Sequence, residues 1–355
     1  MALTDYVLLG RSGLRVSPLS LGTMTFGKDW GWGADEAEAR RIFDIYVERG
    51  GNFIDTANVY TNGSSETLLG QFVAERRDRL VIASKYTLNA WFPGDPNAGG
   101  NHRKSMVRAV EASLKRLGTD YLDLLYLHIW DGLTPIEEVM RGFDDLVRSG
   151  KIVYAGISDT PAWQVARMQT LADLRGWAPL VALQIEYSLA QRTVERDLIP
   201  MAGELGLGVV AWSPLAMGVL TGKYTQADLD KAAATSVQAT PDGARSAVAH
   251  SHDIFNARSL AIGATVKQVA QSLGHSPAQV ALAWLLQRGA NPIVGARTVV
   301  QFEDNLGAFD VRFDEASQRK LDDASAVELG FPHDFLVSEI PRGLITGGTN
   351  IRPRG

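Results

Sequence analysis

Eight short apolar runs with helical patterns between them constrain this 355-residue chain more than any other feature. The runs occupy 19–22, 53–55, 81–85, 122–128, 153–158, 181–184, 209–212 and 293–295, and patterns of helical period such as 36–49, 103–117, 136–148 and 278–287 separate them. Strict alternation of strand and helix demands a parallel sheet. Repeated eight times, it favours closure into a barrel over an open doubly wound sheet. The expectation is an α/β fold, a (β/α)8 TIM barrel, with residues 1–355 as one barrel domain and long loops at its C-terminal face. Ahead of the alternation, 6–9 and 14–17 flank a Gly10-Arg11-Ser12-Gly13 turn and read as an N-terminal β-hairpin.

In such a barrel the C-terminal strand ends converge on one face, where the chemistry is done. Asp55, Tyr60, Lys85 and His128 stand at, or just past, the C-terminal ends of three of the runs. Each has a structural alternative: Asp55 as a helix N-cap in competition with Thr56 or Asn58, His128 as a satisfied structural histidine. Taken together they supply a carboxylate, a phenol, an amine and an imidazole to one site.

Composition removes several classes of partner. A net charge of −5 with no long basic cluster argues against nucleic acid. The absence of cysteine removes disulfides, thiolate chemistry and cysteine zinc sites, and fits a cytoplasmic location. The amino terminus lacks a basic region followed by an apolar one, and no uncharged stretch approaches about 18 residues, so neither a signal peptide nor a membrane span is expected. Six histidines without a His-x-x-x-His pair make a metal site unexpected, and no Gly-x-Ser-x-Gly elbow follows a strand.

A class I aldolase would use a strand-end lysine as a Schiff base. Asp55, however, is available to hold Lys85 charged, which suppresses nucleophilicity and suits an ammonium that stabilises a nearby tyrosinate. Tyr60 then becomes a proton donor. A free phenol titrates near 10, so work near neutrality needs roughly 4 kcal/mol of phenolate stabilisation. One ammonium about 4 Å away supplies on the order of 4 kcal/mol at an effective dielectric near 20, unless burial of the phenol cancels it. A carbonyl held by Tyr60 and His128 would be polarised and ready to accept hydride, which only a cofactor can supply.

The Gly-x-Gly-x-x-Gly of a Rossmann dehydrogenase is missing, since Leu21-Gly22-Thr23-Met24-Thr25-Phe26-Gly27 does not fit it. A barrel can instead take an extended dinucleotide across its C-terminal face, with phosphates met near the last strands. Arg297, in the segment after the eighth run, is a plausible partner for a 2′-phosphate, which favours NADPH over NADH. Three loops bear on a ligand. The stretch 225–252, within 216–256, reads as a lid, with disorder in the free state as the alternative. The loop 87–101 carries Trp91 and Phe92, and 26–33 carries Trp30 and Trp32; with Trp130 these tryptophans suit a pocket for a flat or apolar substrate, or else core or oligomer packing.

These segments together resemble the aldo-keto reductase family over nearly the whole chain. The matching stretches are Leu21-Gly22-Thr23-Met24, Phe53-Ile54-Asp55-Thr56-Ala57 with Tyr60, Ala83-Ser84-Lys85, Leu127-His128, Gly156-Ile157-Ser158, Trp212-Ser213-Pro214-Leu215, and Gly295-Ala296-Arg297 with Asn305-Leu306-Gly307. The resemblance implies NAD(P)H-dependent reduction of aldehydes and ketones, with Tyr60 as general acid, Lys85 and Asp55 tuning it, and His128 orienting the carbonyl. It further implies that Gly22, Thr23, Met24 and Asp55 approach the nicotinamide and ribose. Ser158, Asp159 and Gln184 would hold the carboxamide, and Trp212 would stack on the ring. Ser213, Pro214, Leu215, Gly218 and Leu220 would line the pyrophosphate; Gly295, Ala296, Arg297, Gln301 and Asn305 would take the adenosine phosphate end. Asp159 departs from the usual asparagine, and Trp212 from the usual tyrosine or phenylalanine. Gln191-Arg192 with Glu195, and His128-Ile129-Trp130-Asp131, resemble the bacterial and fungal branch that includes aryl-alcohol dehydrogenase-like enzymes. A nucleotide-sensing accessory protein of the same fold, binding cofactor with little turnover, is the alternative.

Overall fold

The computed structural model describes residues 1–89, 91–234 and 254–351. Eight parallel strands close into a barrel: β3 (Ser20–Gly22), β4 (Phe53–Asp55), β5 (Val81–Tyr86), β6 (Leu122–Leu127), β7 (Ile152–Ser158), β8 (Leu180–Glu186), β9 (Gly208–Trp212) and β10 (Asn291–Val294), with β10 pairing back onto β3. Every one of the eight apolar runs falls on a barrel strand, displaced by at most two residues at any end. The strands are buried on both faces, which is why they read as short continuous apolar runs instead of alternating ones.

Helices between the strands begin and end where local chemistry directs. Asp35 caps Glu36–Glu48 by accepting from the Glu38 N–H, and Gly118, at φ 62°, closes Arg103–Leu117 in the left-handed conformation that costs glycine least. Ser276 and Gln279 form a reciprocal capping box ahead of Pro277–Gln287, with proline at the first position.

The predicted hairpin is present as β1 (Val7–Leu8) and β2 (Arg15–Val16), antiparallel, and it closes the N-terminal mouth of the barrel. Leu9 and Val16 pack into the barrel interior with Phe53, Val81, Leu124, Tyr126, Val181 and Val210. Gly10 makes this approach possible: a Cβ there would lie 2.3 Å from the Val181 carbonyl oxygen. With one mouth filled by side chains, a ligand can enter only from the other.

Between β9 and β10 the chain makes a 3-10 turn at Ala216–Thr221 and helices at Gln226–Ala234, Ala257–Leu273 and Pro277–Gln287. The expected lid therefore starts as a helix where it is described, and 235–252 of it lie outside the described residues. Among the described residues no helix is long and apolar enough to cross a membrane.

Candidate active site

A cavity of about 940 Å³ opens at the C-terminal ends of the barrel strands, and Asp55, Tyr60 and His128 line it. Lys85, on β5, stands just beneath with its side chain fully buried. Asp55 is the last residue of β4, Tyr60 opens the 3-10 turn Tyr60–Gly63, and His128 follows β6 directly. Parallel register places Asp55 opposite Ala83, two residues before Lys85, so the two side chains meet from adjacent strands.

All three protons of the Lys85 ammonium have acceptors. Nζ lies 2.5 Å from Asp55 Oδ1, 2.8 Å from the Thr56 carbonyl oxygen and 3.1 Å from the Tyr60 hydroxyl. The second oxygen of Asp55 accepts from Gln184 Nε2 at 2.8 Å. A buried ion pair survives desolvation only with such additional hydrogen bonds. Burial alone would lower the Lys85 pKa, but the Asp55 carboxylate and the Tyr60 hydroxyl hold it above the ordinary lysine value. The lysine is thus kept charged, which is the opposite of what a Schiff-base nucleophile needs.

Burial raises the Tyr60 pKa, and the pull of Lys85 does not overcome it, with Asp55 and Asp159 adding to the rise. The expectation that one ammonium would bring the phenol towards neutrality is corrected here. Lys85 does not act as an isolated unit charge, because Asp55 neutralises it at 2.5 Å. Tyr60 is held as a full phenol. Burial first, and Lys85 second, push the His128 pKa well below the usual value, so its imidazole is neutral near neutral pH and presents one N–H and one lone pair. The rings of Tyr60 and His128 meet edge to face with centroids 6.0 Å apart.

From these groups the cavity runs along the ends of β7 to β10. Gly22, Met24, Asp55, Ser158, Asp159, Gln184, Trp212, Ser213, Pro214, Leu215, Gly218, Gly295, Arg297, Gln301 and Asn305 line it. Thr23, Leu220 and Ala296 do not. Leu220 and Ala296 are buried in the core, and the Thr23 hydroxyl is committed to the Asp55 carbonyl and to Ser65. Of the four loop tryptophans, Trp30, Trp32, Trp91 and Trp130, only Trp30 lines the cavity, beside Val59, Leu88 and Ile129. Trp32 packs on Trp30 at 5.8 Å, Trp91 donates to the Asn62 carbonyl and lies over Arg116, and Trp130 packs against the core. Loop tryptophans look alike in a sequence, because which side of a loop faces the barrel is set by its anchors.

Sequence reading missed Lys223, Ser276 and Glu186, which also line the cavity. Lys223 follows the strained turn Ala216–Thr221, and Ser276 sits at the N-terminus of Pro277–Gln287. Their only sequence signals were an isolated lysine and a capping pattern. Ser213, Ala216 and Met217 all adopt positive φ, an arrangement that concentrates where a backbone is shaped around a ligand.

Among the described residues four buried polar atoms of the cavity lining have no hydrogen-bond partner: His128 Nδ1, Ser158 Oγ, Glu186 Oε1 and Arg297 Nε. Two cations, Arg297 and Lys223, line the cavity, Arg297 just ahead of Val299–Leu306, and among the described residues neither forms an ion pair. An elongated ligand with an amide at one end and phosphates at the other matches that donor set. The residues present fit a nicotinamide dinucleotide.

The Aldo/keto reductase family model matches residues 18–326. A norsolorinic acid reductase of Aspergillus flavus is 36% identical over 341 residues, covering 93% of this chain and 83% of that protein. An NADP(+) aryl-alcohol dehydrogenase of Phanerodontia chrysosporium is 36% identical over 337 residues, covering 90% and 86% respectively. An uncharacterized oxidoreductase of Bacillus subtilis is 38% identical over 334 residues, covering 90% and 95%.

Proposed function

The chain belongs to the aldo/keto reductase family and is an oxidoreductase of carbonyl compounds; from that premise we propose that it reduces aromatic or medium-sized apolar aldehydes and ketones to alcohols with NADPH, using Tyr60 as the general acid. The observation that carries the reading is the 3.1 Å contact between Lys85 Nζ and the Tyr60 hydroxyl, with Asp55 holding the lysine charged.

A nicotinamide dinucleotide bound along β7 to β10 would supply the hydride to the carbonyl carbon. The chain's own residues do the rest. Neutral His128 donates a hydrogen bond to the substrate oxygen and fixes its direction towards Tyr60. As negative charge grows on that oxygen, the Tyr60 hydroxyl transfers its proton to it, and Lys85 stabilises the tyrosinate left behind. Burial of the phenol keeps the proton in place until that charge develops, so transfer is driven by the reacting oxygen and not by an acidic resting tyrosine. Trp30, Val59, Leu88 and Ile129 provide an apolar wall that favours a flat substrate and excludes water.

Arg297 and Lys223, neither of which forms an ion pair among the described residues, are available to a 2′-phosphate, which supports NADPH over NADH. The relative from Phanerodontia chrysosporium carries NADP(+) in its name and agrees with this choice.

Tyr60→Phe tests the reading. Loss of NADPH absorbance with a panel of aryl aldehydes should slow by about 100-fold to 10,000-fold, the usual worth of a general acid, while NADPH binding by calorimetry stays within about threefold. Full turnover in that variant would end the proposal. Binding without turnover in the unaltered protein would favour a nucleotide sensor instead.

A further inference from the structure

Two carboxyl groups reach the cavity from neighbouring strand ends. Asp159 directly follows β7, Glu186 ends β8, and both line the cavity together with Trp212. The Trp212 indole N–H donates to Asp159 Oδ1 at 2.9 Å, and Trp212 is the parallel-sheet partner of Glu186. Trp212 is therefore held through its indole N–H by one carboxyl and stands beside another on the adjacent strand. Among the described residues Glu186 Oε1 has no hydrogen-bond partner, and neither does Ser158 Oγ, whose residue is 1% exposed. Asp159 sits at φ 38°, in the left-handed region that short polar side chains tolerate best.

The charge balance around these groups is nearly empty. Asp55 and Lys85 form an ion pair whose charges largely offset, leaving Lys85 a small downward pull on the Asp159 pKa that burial outweighs. Tyr60 is a neutral phenol and His128 a neutral imidazole. Lys223 follows the turn after β9, and Arg297 follows β10, just ahead of Val299–Leu306. Net charge beside Trp212 is thus left to Asp159 and Glu186.

We propose that Asp159 and Glu186 set the preference of this site between the oxidised nicotinamide, whose ring is a cation, and the reduced nicotinamide, whose ring is neutral. This rests on reading the cavity as a nicotinamide site. An ionised carboxylate beside the ring attracts only the cationic form, so each ionisation tightens the oxidised cofactor and leaves the reduced one nearly unaffected. Burial raises the Asp159 pKa to about 6 and, with help from the charge on Asp159, that of Glu186 to about 7. The preference should then change with pH across the neutral range. The sign is definite: as pH rises through these values, negative charge appears and the oxidised form gains. Phosphate groups titrate alike in both cofactor forms and cancel in the ratio of their affinities.

The test is calorimetric titration with NADP+ and with NADPH separately, from about pH 5.5 to about pH 8. The ratio of dissociation constants, reduced over oxidised, should rise about tenfold across that range, which corresponds to about 1.4 kcal/mol. Glu186→Gln should remove part of the rise, and Asp159→Asn another part. The double variant should give a flat ratio near the acid value of the unaltered protein. Should the double variant fail to fold, the two single variants still report, because each alone must reduce the slope. A flat ratio in the unaltered protein, with both forms bound, overturns this inference and leaves the proposed reaction standing. Failure of either form to bind defeats the nicotinamide reading itself, and this inference with it.

Discussion

The two ends of the cavity are built on opposite plans. At the end formed by β4, β5 and β6, Lys85 has an acceptor for each proton, and both oxygens of Asp55 accept a hydrogen bond. Along β7 to β10, Ser158 Oγ, Glu186 Oε1 and Arg297 Nε are buried without partners among the described residues. The Lys85–Asp55 pair is complete within the protein, so its geometry is fixed before any ligand arrives, while His128 Nδ1 at the same end is left open. The β7 to β10 end leaves donors and acceptors for a ligand to satisfy. Preorganisation suits groups that must meet charge as it develops, whereas open hydrogen-bonding capacity suits groups that must hold a molecule.

The sharpest way to break this contrast is to remove one member of the satisfied end. Lys85→Met leaves the Asp55 carboxylate buried with only Gln184 as a side-chain partner, and should cost about 3–5 kcal/mol of stability. Chemical denaturation would show it. A loss below about 1 kcal/mol would mean that the pair is not the closed unit described. Asp55→Asn should cost less and should make Lys85 titrate more easily.

At the open end a single deletion should affect binding and not folding. Arg297→Ala is expected to weaken NADPH by about 2 kcal/mol, the usual worth of a hydrogen bond to a charged group, or roughly 30-fold. NADH should change by less than about threefold. Equal losses for both cofactors would place Arg297 away from the 2′-phosphate.

Stability against pH gives a smaller effect. Asp159 and Glu186 have folded pKa values above their ordinary ones, about 6 and about 7. The folded chain therefore holds protons that the unfolded chain has released, and stability falls as pH rises from about 4 to about 7. Allowing for partial exposure, Asp159→Asn with Glu186→Gln should remove about 1–2 kcal/mol of that fall. The check compares unfolding free energies of the cofactor-free proteins at both ends of this window. An unchanged slope would mean that these carboxyls are solvated. Smallest of all, Trp30→Ala should raise KM for an aryl aldehyde by about 1 kcal/mol, as loss of an aromatic contact does, while Trp91→Ala should leave it unchanged.

How far the sequence could be read follows the same division. The strands were legible because burial on both faces demands continuous apolar runs, and their polar terminators, Asp55, Lys85 and His128, mark where those runs give way to the cavity. Gly22 and Arg297 were legible through the segments around the first and last strands. Thr23 and Ala296 lie in those same segments and Leu220 in the turn after β9, but all three are buried. Glu186 was passed over because it looks like any polar residue at the end of an apolar run. Lys223 and Ser276 lie in the long interval after β9, where sequence distance carries no information about approach to the cavity.

The sequence by itself determined the alternation of strands and helices, hence the closed barrel, and with it the face on which Asp55, Tyr60, Lys85 and His128 would meet. Periodicity and burial act locally, so they leave a local record. Only the tertiary structure decided that Lys85 is neutralised by Asp55 while Tyr60 stays a full phenol, that Trp30 alone among the loop tryptophans lines the cavity, and that Asp159 accepts from the Trp212 indole while Glu186 pairs beside Trp212 on the adjacent strand. Each of these depends on distances between residues far apart in the chain, and on how much water is excluded between them, quantities that arise only when the barrel closes.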